Sequence, residues 1–556
     1  MSFNHQKYRP FQFAPKMTER FWPDKTIEKA PIWVSVDLRD GNQALIDPMT
    51  IEQKVRFFKL LVDCGFKEIE IGFPSASQIE YDFTRRLIED NLIPDDVTVQ
   101  VLTQAREHLI NRTFESLKGV KKAIVHLYNS TSRVQREKVY QKSREEIKEL
   151  AVFGAKLLNQ QAELFPDSEW IFEYSPESFS QTEPDYAVEV CEAVCQVWNP
   201  KKRKIILNLP NTVECATANI YADQVEYFCR NLTCREDVII SVHTHNDRGC
   251  AVAASELAVL AGADRVEGTL LGNGERTGNM DIMVMAMNLY SQGVNPGLDF
   301  SNMSEIVNVV SECNNLPVSP RHPYIGELVF TAFSGSHQDA IKKSLEFEDE
   351  DKKNGIWDIA YLPLDPQDIG RTYQDVVRIN SQSGKGGIAY ILSRDYGLQV
   401  PRWLQVDLAQ KVQKESEKTQ KELSSQTVLE VFNKAYIERG RFTLHDYQIS
   451  RKDRADSVSV VLKDRTKSEN NELKIDGEAI GVMAAFINAL EKQFAVKIAV
   501  TNYSQHALTQ ATDAQAVAYV QLTIENQLFT GIAYSHDTVS AMLRAALTAF
   551  CRAERF

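Results

Sequence analysis

From Pro31 onward the chain repeats one short unit, in which a β-branched run is followed by a polar turn and an amphipathic helical stretch. This alternation is typical of parallel strands joined by helices. The strand-like runs are IWVSVDL (32–38), KEIEIGF (67–73), VTVQVLT (97–103), KAIVHLY (122–128), WIFEYS (170–175), KIILNL (204–209), VIISVHT (238–244) and RVEGTLL (265–271). Helical stretches such as Ile51–Cys64, Arg136–Gln160 and Cys250–Gly262 lie between them. Eight such units in succession predict a (β/α)8 TIM barrel.

The main alternative is a doubly wound open sheet, which also alternates strands and helices. That fold binds a dinucleotide at a Gly-rich turn after an early strand, and the sequence has no such turn there. The barrel is therefore the preferred prediction.

Beyond about Gln292 the repeating pattern stops. Val318–Asp351 is predicted to be helical, and Trp357–Arg371 is a turn region rich in Pro and Asp. The charged run QKVQKESEKTQKELSSQ (410–426) predicts an exposed helix face. From about Gly440, short strands alternate with two longer helices, which predicts a strand–strand–helix unit that occurs twice.

A chain of 556 residues exceeds one ordinary hydrophobic core. We therefore predict a barrel over residues 1–325, helical linker subdomains over 326–439, and a C-terminal α/β domain over 440–556.

Composition excludes several partners and compartments. The net charge of -13 argues against nucleic acid, which requires a basic face. No stretch approaches the roughly 20 apolar residues that span a bilayer, and the N-terminus lacks the apolar segment of a secretory signal. The 9 cysteines are odd in number and lack a CxxC pair, so they predict reduced thiols and a cytoplasmic protein without membrane association.

The chemistry-bearing residues of a barrel lie where its strands end. Strand seven ends in SVHTHND, where His243 and His245 are two residues apart and therefore point to the same side. Asp40 follows strand one in DLRDGNQ, and Asn279 ends the loop GNGERTGN after strand eight. One carboxylate, two imidazoles and an amide oxygen predict a site for Zn, Mn or Mg. The glycines of GNGERTGN are also explained by tight backbone geometry alone.

Other strand ends carry further candidates. They are Arg39 after strand one, His126 near the end of strand four, Glu173, Ser175 and Glu177 at strand five, and Asn208 and Thr212 at strand six. Glu68 and Glu70 alternate with apolar residues on strand two, and their types do not separate a catalytic base from a group that orients one.

At DLRDGNQ, HTHND and GNGERTGN the sequence resembles the metal-dependent Claisen-type synthases and lyases built on a barrel. Longer strings are similar to the longer-chain bacterial 2-isopropylmalate synthases. They are LRDGNQALIDPM (38–49), KEIEIGFPSASQ (67–78), FEYSPESF (172–179), FSGSHQDAI (333–341), YLPLDPQDIGRTY (361–373) and NSQSGKGG (380–387). The resemblance runs from about Tyr8 to at least Leu398 and continues weakly through the C-terminal region.

The resemblance implies that Asp40, His243, His245 and Asn279 are ligands of a divalent metal that chelates a 2-oxo acid. It makes Arg39 the group that stabilises the alkoxide, Thr212 a hydrogen-bond donor to the substrate carboxylate, and His126 and Ser175 part of the oxo-acid pocket. It assigns removal of a proton from acetyl-CoA to Glu177 and His337, with Tyr361 as an acid or orienting hydroxyl.

The family exchanges the region of His337 and Tyr361 between subunits, so the resemblance also implies a homodimer. The C-terminal domain resembles a leucine-binding regulatory domain whose Gly-rich loops open helices. Here both loops depart from the commoner family pattern, at Glu478 and Ala479 and at Tyr534, Ser535 and His536. The domain is therefore a leucine sensor, a sensor of another effector, or a dimerisation module only.

Four functions compete. The first is a 2-isopropylmalate synthase, which joins acetyl-CoA to 3-methyl-2-oxobutanoate. The second is a synthase for another 2-oxo acid, of the citramalate or homocitrate type; a 2-oxoglutarate enzyme needs a cation for the distal carboxylate, and the sequence offers no obvious one. The third is a non-catalytic amino-acid sensor, which predicts the loss of ligands or base that are all present here. The fourth is a metal-dependent lyase that runs the reverse cleavage, but the family's lyases are usually shorter and lack the C-terminal domain.

Overall fold

The computed structural model describes residues 4–371, 385–419, 423–437, 440–452, 454–468, 471–508 and 514–553. Residues 380–384 of NSQSGKGG therefore lie outside the described residues. The chain forms two compact units, one of Met1–Val329 with Gln367–Arg371 and one of Phe330–Pro366 with Thr372–Phe556. Among the described helices none combines the length and apolar character needed to cross a membrane.

Eight parallel strands close into a barrel in sequence order, which confirms the predicted fold class. They are β1 (Ile32–Ser35), β2 (Glu68–Gly72), β3 (Thr98–Gln104), β4 (Lys122–Ser130), β5 (Glu169–Glu177), β6 (Ile205–Asn211), β7 (Ile239–Thr244) and β8 (Arg265–Gly268). The surrounding helices are α1 (Ile51–Asp63), α2 (Gln78–Glu89), α3 (Glu107–Ser116), α4 (Arg144–Leu164), α5 (Pro184–Trp198), α6 (Ala218–Asn231), α7 (Ala251–Leu260), α8 (Ile282–Tyr290) and α9 (Met303–Asn314).

The barrel strands are buried on both faces, as expected for a parallel sheet covered by helices. Ile124, Ile171 and Ile206, from three adjacent strands, pack into one apolar cluster. Helices α1 and α4 each begin with a capping box, at Thr50 and Ser143. Side chains therefore accept hydrogen bonds from backbone N–H groups at the start of each helix. The apolar layers thus hold the strands in register and fix where each strand ends.

The second unit contains the helices after the barrel. They are α10 (Gly335–Leu345), α11 (Glu348–Lys353), α12 (Lys385–Tyr396), α13 (Arg402–Thr419) and α14 (Ser425–Tyr436). In the charged run, Val412 and Ser416 are buried one turn apart while most neighbours up to residue 418 are exposed, as predicted for an exposed helix face.

The predicted helix over Val318–Asp351 is wrong in its first half, since α10 begins only at Gly335. Pro320 and Pro323 interrupt the preceding segment, because a proline inside a helix removes a hydrogen bond and clashes with the previous turn. Trp357–Arg371 contains only turns and a short 3-10 helix at Pro366–Ile369, as predicted.

The C-terminal region contains two similar units of three antiparallel strands and one helix. The first has β9 (Phe442–Lys452), β10 (Ala455–Asp464), β11 (Glu472–Ala479) and α15 (Val482–Phe494). The second has β12 (Ile498–Ala507), β13 (Ala516–Ile524), β14 (Gln527–Ser535) and α16 (Thr538–Cys551). The predicted strand–strand–helix unit is therefore wrong by one strand in each copy. Alternate residues of the strands and one face of each helix share a single apolar core.

Candidate metal centre and active site

The predicted ligands lie at the carboxyl ends of β1, β7 and β8. After β1, Asp37–Gly41 forms one π-helical turn that carries Arg39 and Asp40. Both carboxylate oxygens of buried Asp37 lie within 3.1 Å of the backbone nitrogen of Leu270, just after β8. This contact ties the β1 turn to the end of β8 and holds Asp40 at the mouth of the barrel.

Three potential ligand atoms converge at this mouth. Oδ2 of Asp40 lies 3.3 Å from Nε2 of His243 and 3.3 Å from Nε2 of His245, and the two nitrogens are 3.1 Å apart. A cation about 2.0–2.2 Å from each ligand requires neighbouring ligand atoms roughly 2.8–3.6 Å apart. The triangle therefore has the dimensions of one face of a metal coordination shell.

Two buried acceptor oxygens of the predicted ligands have no hydrogen-bond donor among the described residues. They are Oδ2 of Asp40 and Oδ1 of Asn279. The amide nitrogen of Asn279 donates to the carbonyl of Asn273 at 3.0 Å, and its backbone is bridged to His245. Gly278 precedes it with φ +98°, and a Cβ there would lie 1.9 Å from the carbonyl oxygen of Gly272. Buried acceptors without donors are costly, so these two oxygens fit a bound cation.

Electrostatics keep the Asp40 carboxylate charged. Its burial opposes ionisation, but the Arg39 guanidinium and the nearby imidazoles of His243 and His245 outweigh this and hold the pKa of Asp40 well below its usual range. Burial also opposes the charged form of His243, yet its contacts with Asp40 and Glu267 raise the pKa of His243 to about 9. Without a cation, the site is therefore partly neutralised by a proton on His243.

The metal-free protein is expected to lose stability as the pH rises from about 6.5 to about 9. The pKa of His243 is higher in the folded than in the unfolded protein, so protonated His243 adds about 3 kcal/mol to the free energy of unfolding. This contribution is complete below pH 6.5 and is lost above the folded pKa. Urea unfolding in the presence of a chelator at pH 6, 7.5 and 9 measures this pH dependence of the free energy of unfolding. The free energy of unfolding of a His243→Asn variant should depend less on pH. An equal pH dependence in the two proteins would show that His243 is not its cause.

His245 has a different environment. Burial lowers its pKa, so its ring is neutral. Nη2 of Arg276 lies 2.8 Å from its Nδ1, and a guanidinium can only donate. Nδ1 thus accepts and the ring proton sits on Nε2. A cation at Nε2 of His245 therefore requires the Arg276 side chain to leave Nδ1.

A cavity of about 350 Å³ opens beside the three converging atoms. Its wall includes the predicted residues Arg39, Asp40, His126, Ser175, Glu177, Thr212, His243 and His245, together with Asn208. Seven residues that sequence reasoning did not single out complete it: Gln43, Phe73, Leu102, Tyr128, Pro210, Glu275 and Arg276.

Arg39 donates from Nε to Glu70 and from Nη1 to Asp40, both at 2.6 Å. Its side chain is only 11% exposed, which strengthens its field at the cavity. These two carboxylates fix the guanidinium at the cavity wall. The arrangement suits stabilisation of negative charge that develops on a bound substrate.

Glu177 ends β5 and is held by the end of β4. Ser130 donates its hydroxyl hydrogen to Oε2 of Glu177, and the backbone nitrogen of Thr131 donates to the Glu177 carbonyl at 3.1 Å. The next residue, Ser178, has φ +61° and donates its backbone N–H to Oγ1 of Thr212 at 2.9 Å. The Thr212 hydroxyl hydrogen is thus directed elsewhere, and can serve a ligand in the cavity.

His126 and Ser175 form one hydrogen-bonded wall, with Nε2 of His126 2.7 Å from Oγ of Ser175. The amide of Asn208 donates to the same Ser175 oxygen at 3.0 Å. Glu173 is different: it is fully buried in the barrel and is not part of the cavity wall. Its Oε2 lies 3.4 Å from Nη2 of Arg265, and neither of its oxygens has a hydrogen-bond donor among the described residues. Burial raises the pKa of Glu173 well above its usual range.

His337 and Tyr361 belong to the second compact unit. Both side chains are exposed, and their rings stack with centroids 3.9 Å apart and planes 20° apart. Tyr361 has φ +65°, an unusual backbone conformation for a residue with a Cβ. The structure thus joins these two predicted residues to each other in an exposed pair.

Arg276 is the most informative of the residues that sequence reasoning missed. It is a cation on the cavity wall, yet Nε donates to Asp247 at 2.7 Å and Nη2 donates to the carbonyl of Thr212 at 2.6 Å. Its position inside GNGERTGN was the available signal. Tyr128, which accepts from Gln104 at 2.7 Å, follows His126 by two residues on β4 and was predictable from strand alternation.

The fold, the cavity and the converging ligand atoms define a barrel enzyme whose chemistry lies at the carboxyl ends of its strands. Residues 30–310 match the family described as HMGL-like. Residues 327–393 match the alpha-isopropylmalate synthase post-catalytic domain-like family, and residues 422–553 match the LeuA allosteric (dimerisation) domain.

Relatives align along nearly the whole chain. The chain is 52% identical to the 2-isopropylmalate synthase of Clostridium acetobutylicum, over 97% of this chain and 98% of the relative. It is 51% identical to the enzymes of that name from Alcanivorax borkumensis (99% and 98% covered) and Rhodospirillum rubrum (98% and 98%). The chain belongs to the 2-isopropylmalate synthase family.

Proposed function

We propose that this protein condenses acetyl-CoA with 3-methyl-2-oxobutanoate and hydrolyses the thioester, giving 2-isopropylmalate and CoA in the first committed step of leucine biosynthesis. The observation that carries the proposal is the alignment of 97–99% of the chain with three relatives named 2-isopropylmalate synthase. The cavity beside Asp40, His243 and His245 supports it, since it offers a substrate both a cation site and polar walls.

Asp40, His243, His245 and Asn279 would hold a divalent cation, either Mg, Mn or Zn. The donor set supports this, because it combines a charged oxygen, two imidazole nitrogens and a buried amide oxygen without a donor. When bound, the cation would polarise the carbonyl of the 2-oxo acid as a Lewis acid.

The chain's own residues would orient the oxo acid around that carbonyl. Arg39 would stabilise the alkoxide that forms on the carbonyl oxygen, since two carboxylates hold its guanidinium at the cavity wall. Thr212 would donate its hydroxyl hydrogen to the substrate carboxylate. His126 and Ser175 would line the pocket of the substrate side chain.

Glu177 would take a proton from the acetyl methyl group of acetyl-CoA, and the resulting enolate would attack the 2-oxo carbon. The hydrogen bond from Ser130 supports this role by fixing the carboxylate at the end of β5. His337 would share the base role and Tyr361 would act as an acid or orienting hydroxyl. Water would then cleave the thioester and release CoA.

His337 and Tyr361 would act in the active site of the partner subunit of a homodimer. The match to the LeuA allosteric (dimerisation) domain supports a dimer. The order of the domains at 1–325, 326–439 and 440–556 is supported by three successive family matches, over residues 30–310, 327–393 and 422–553. Free cysteines support a cytoplasmic location.

The C-terminal domain would bind a small effector such as leucine, as its family match suggests. Its helix N-termini already contact the chain's own carboxylates. The backbone N–H of Gly481, before α15, donates to Asp456 at 3.1 Å. Asp537 accepts from the backbone nitrogens of Val539 and Ser540 at 3.2 and 2.7 Å and from the hydroxyl of Tyr447 at 2.6 Å.

CoA release from acetyl-CoA, followed with a thiol reagent, tests the proposal. The full-length protein with Mg or Mn is offered 3-methyl-2-oxobutanoate, pyruvate, 2-oxobutanoate and 2-oxoglutarate separately, with and without leucine. We expect release to be fastest with 3-methyl-2-oxobutanoate and to stop with a chelator.

Faster release of CoA with another oxo acid would identify that acid as the substrate, and the proposed condensation chemistry would still hold. No release with any oxo acid from metal-loaded protein would refute the synthase and favour a lyase or a sensor. Inhibition by leucine would assign the C-terminal domain as its sensor, and its absence would leave that domain to another effector or to dimerisation.

A further inference from the structure

The barrel interior holds a cluster of charged and polar side chains centred on Arg265. This guanidinium is fully buried. Its acceptors lie on four strands: Glu68 on β2 (from Nε, 2.7 Å), Gln100 on β3 (from Nη2, 2.6 Å), Ser241 on β7 (from Nη1, 2.9 Å) and Glu267 on β8 itself (from Nη1, 2.7 Å). A buried guanidinium with this many acceptors in fixed geometry is held rigidly.

Glu267 joins this cluster to the candidate metal centre. Its Oε1 accepts from Arg265, and its Oε2 lies 2.9 Å from Nδ1 of His243. The amide of Asn208 approaches the same Oε2 at 3.3 Å. Glu267 is fully buried, so both contacts are shielded from water.

We propose that Glu267, held by Arg265, is a positioning residue for the metal centre that fixes the ring plane and tautomer of His243. With the proton of a neutral ring on Nδ1 and donated to Glu267, the Nε2 lone pair is directed to the point shared with Oδ2 of Asp40. This inference rests on the metal site of the proposed function. It adds the residues that determine how tightly the site holds its cation.

The role requires a carboxylate at position 267. Donors approach both of its oxygens. Nη1 of Arg265 and the Gln100 amide lie 2.7 and 3.4 Å from Oε1. Nδ1–H of His243 and the Asn208 amide lie 2.9 and 3.3 Å from Oε2. A glutamine offers one acceptor oxygen and one donor nitrogen. It can satisfy Arg265 or His243 but presents an N–H to the other, so Glu267→Gln breaks one contact without changing the side-chain volume appreciably.

Glu68 offers a matched control. Its Oε2 accepts from the same guanidinium at 2.7 Å, and it is 7% exposed. It is not part of the cavity wall, and no contact of it with His243 occurs among the described residues. Glu68→Gln keeps an acceptor for Arg265 and removes the same charge from the buried cluster. A loss of barrel stability alone should therefore be similar in the two variants.

Calorimetric titration with Mn²⁺ tests the inference on metal-stripped, full-length wild type, Glu267→Gln and Glu68→Gln, with thermal unfolding of each. We expect Glu267→Gln to bind Mn²⁺ about 10–100-fold more weakly than wild type, the usual effect of losing a group that orients a ligand. We expect Glu68→Gln to stay within about threefold, because the His243 ring keeps its partner.

Wild-type affinity in Glu267→Gln, or equal weakening in both variants, would overturn the inference. Wild type that binds no Mn²⁺ would instead refute the proposed metal site itself. If Glu267→Gln does not fold, Arg265→Lys serves in its place. A lysine ammonium cannot reach all the acceptors that Arg265 contacts on β2, β3, β7 and β8, so it holds Glu267 less firmly. Weaker Mn²⁺ binding by Arg265→Lys supports the inference, and unchanged binding overturns it.

Discussion

Replacing Asp40 by alanine is expected to abolish Mn²⁺ binding and to lower the rate of CoA release by roughly 10³-fold or more. The variant removes the only carboxylate of the converging triangle among the described residues, and leaves the two nitrogens that are 3.1 Å apart. It also frees Nη1 of Arg39, which donates to Asp40 at 2.6 Å. Calorimetry with Mn²⁺ and the thiol assay measure the two effects.

Asp47→Ala is the control, because Asp47 is an exposed carboxylate in the same segment between β1 and α1. It should bind Mn²⁺ and release CoA as the wild type does. An Asp40→Ala protein that keeps wild-type affinity would show that the cation binds elsewhere.

Replacing Glu177 by glutamine is expected to lower kcat about 10²–10⁴-fold, the usual contribution of a positioned base. The KM for the oxo acid should change little, since the amide preserves the shape of the wall. Exchange of the acetyl methyl protons into deuterium oxide follows proton removal directly and should fall with kcat.

Glu183→Gln is the matched control for Glu177. Glu183 lies at the start of α5 and pairs with Arg136 at 2.8 Å and Arg144 at 3.1 Å, and it is not part of the cavity wall. Its variant should exchange methyl protons at the wild-type rate. Wild-type exchange in Glu177→Gln, combined with its loss in His337→Ala, would assign the base to His337 alone.

The barrel was predictable because each of its strands is a β-branched run buried on both faces, and all eight predicted runs overlap observed strands. The C-terminal domain was not predictable to the same extent. Its β9 (FTLHDYQISRK) is mostly exposed, and β11 (ELKIDGEA) carries four charged residues, so neither resembles a buried strand. Both are strands because they pair with β10, whose alternate residues are buried. Pairing thus outweighs local propensity there.

The site was predictable where a polar residue ends a strand. His243 and His245 show this, because their spacing of two residues puts both rings on one side. Glu267 was not predictable in the same way, since the run RVEGTLL does not reveal that its carboxylate faces His243 across the barrel interior. Such a contact depends on the register between β7 and β8, in which His243 is paired with Glu267.

The contacts of Asp537 have a consequence for any molecule that would regulate this protein. The backbone nitrogens at the start of α16 are already bound to a tethered carboxylate. A free carboxylate that approaches these nitrogens must displace Asp537 before it binds, so the dose needed for half-occupancy is set partly by this internal competitor. For such a ligand, a stronger Tyr447–Asp537 hydrogen bond would raise the dose without any change in the residues that would touch the ligand.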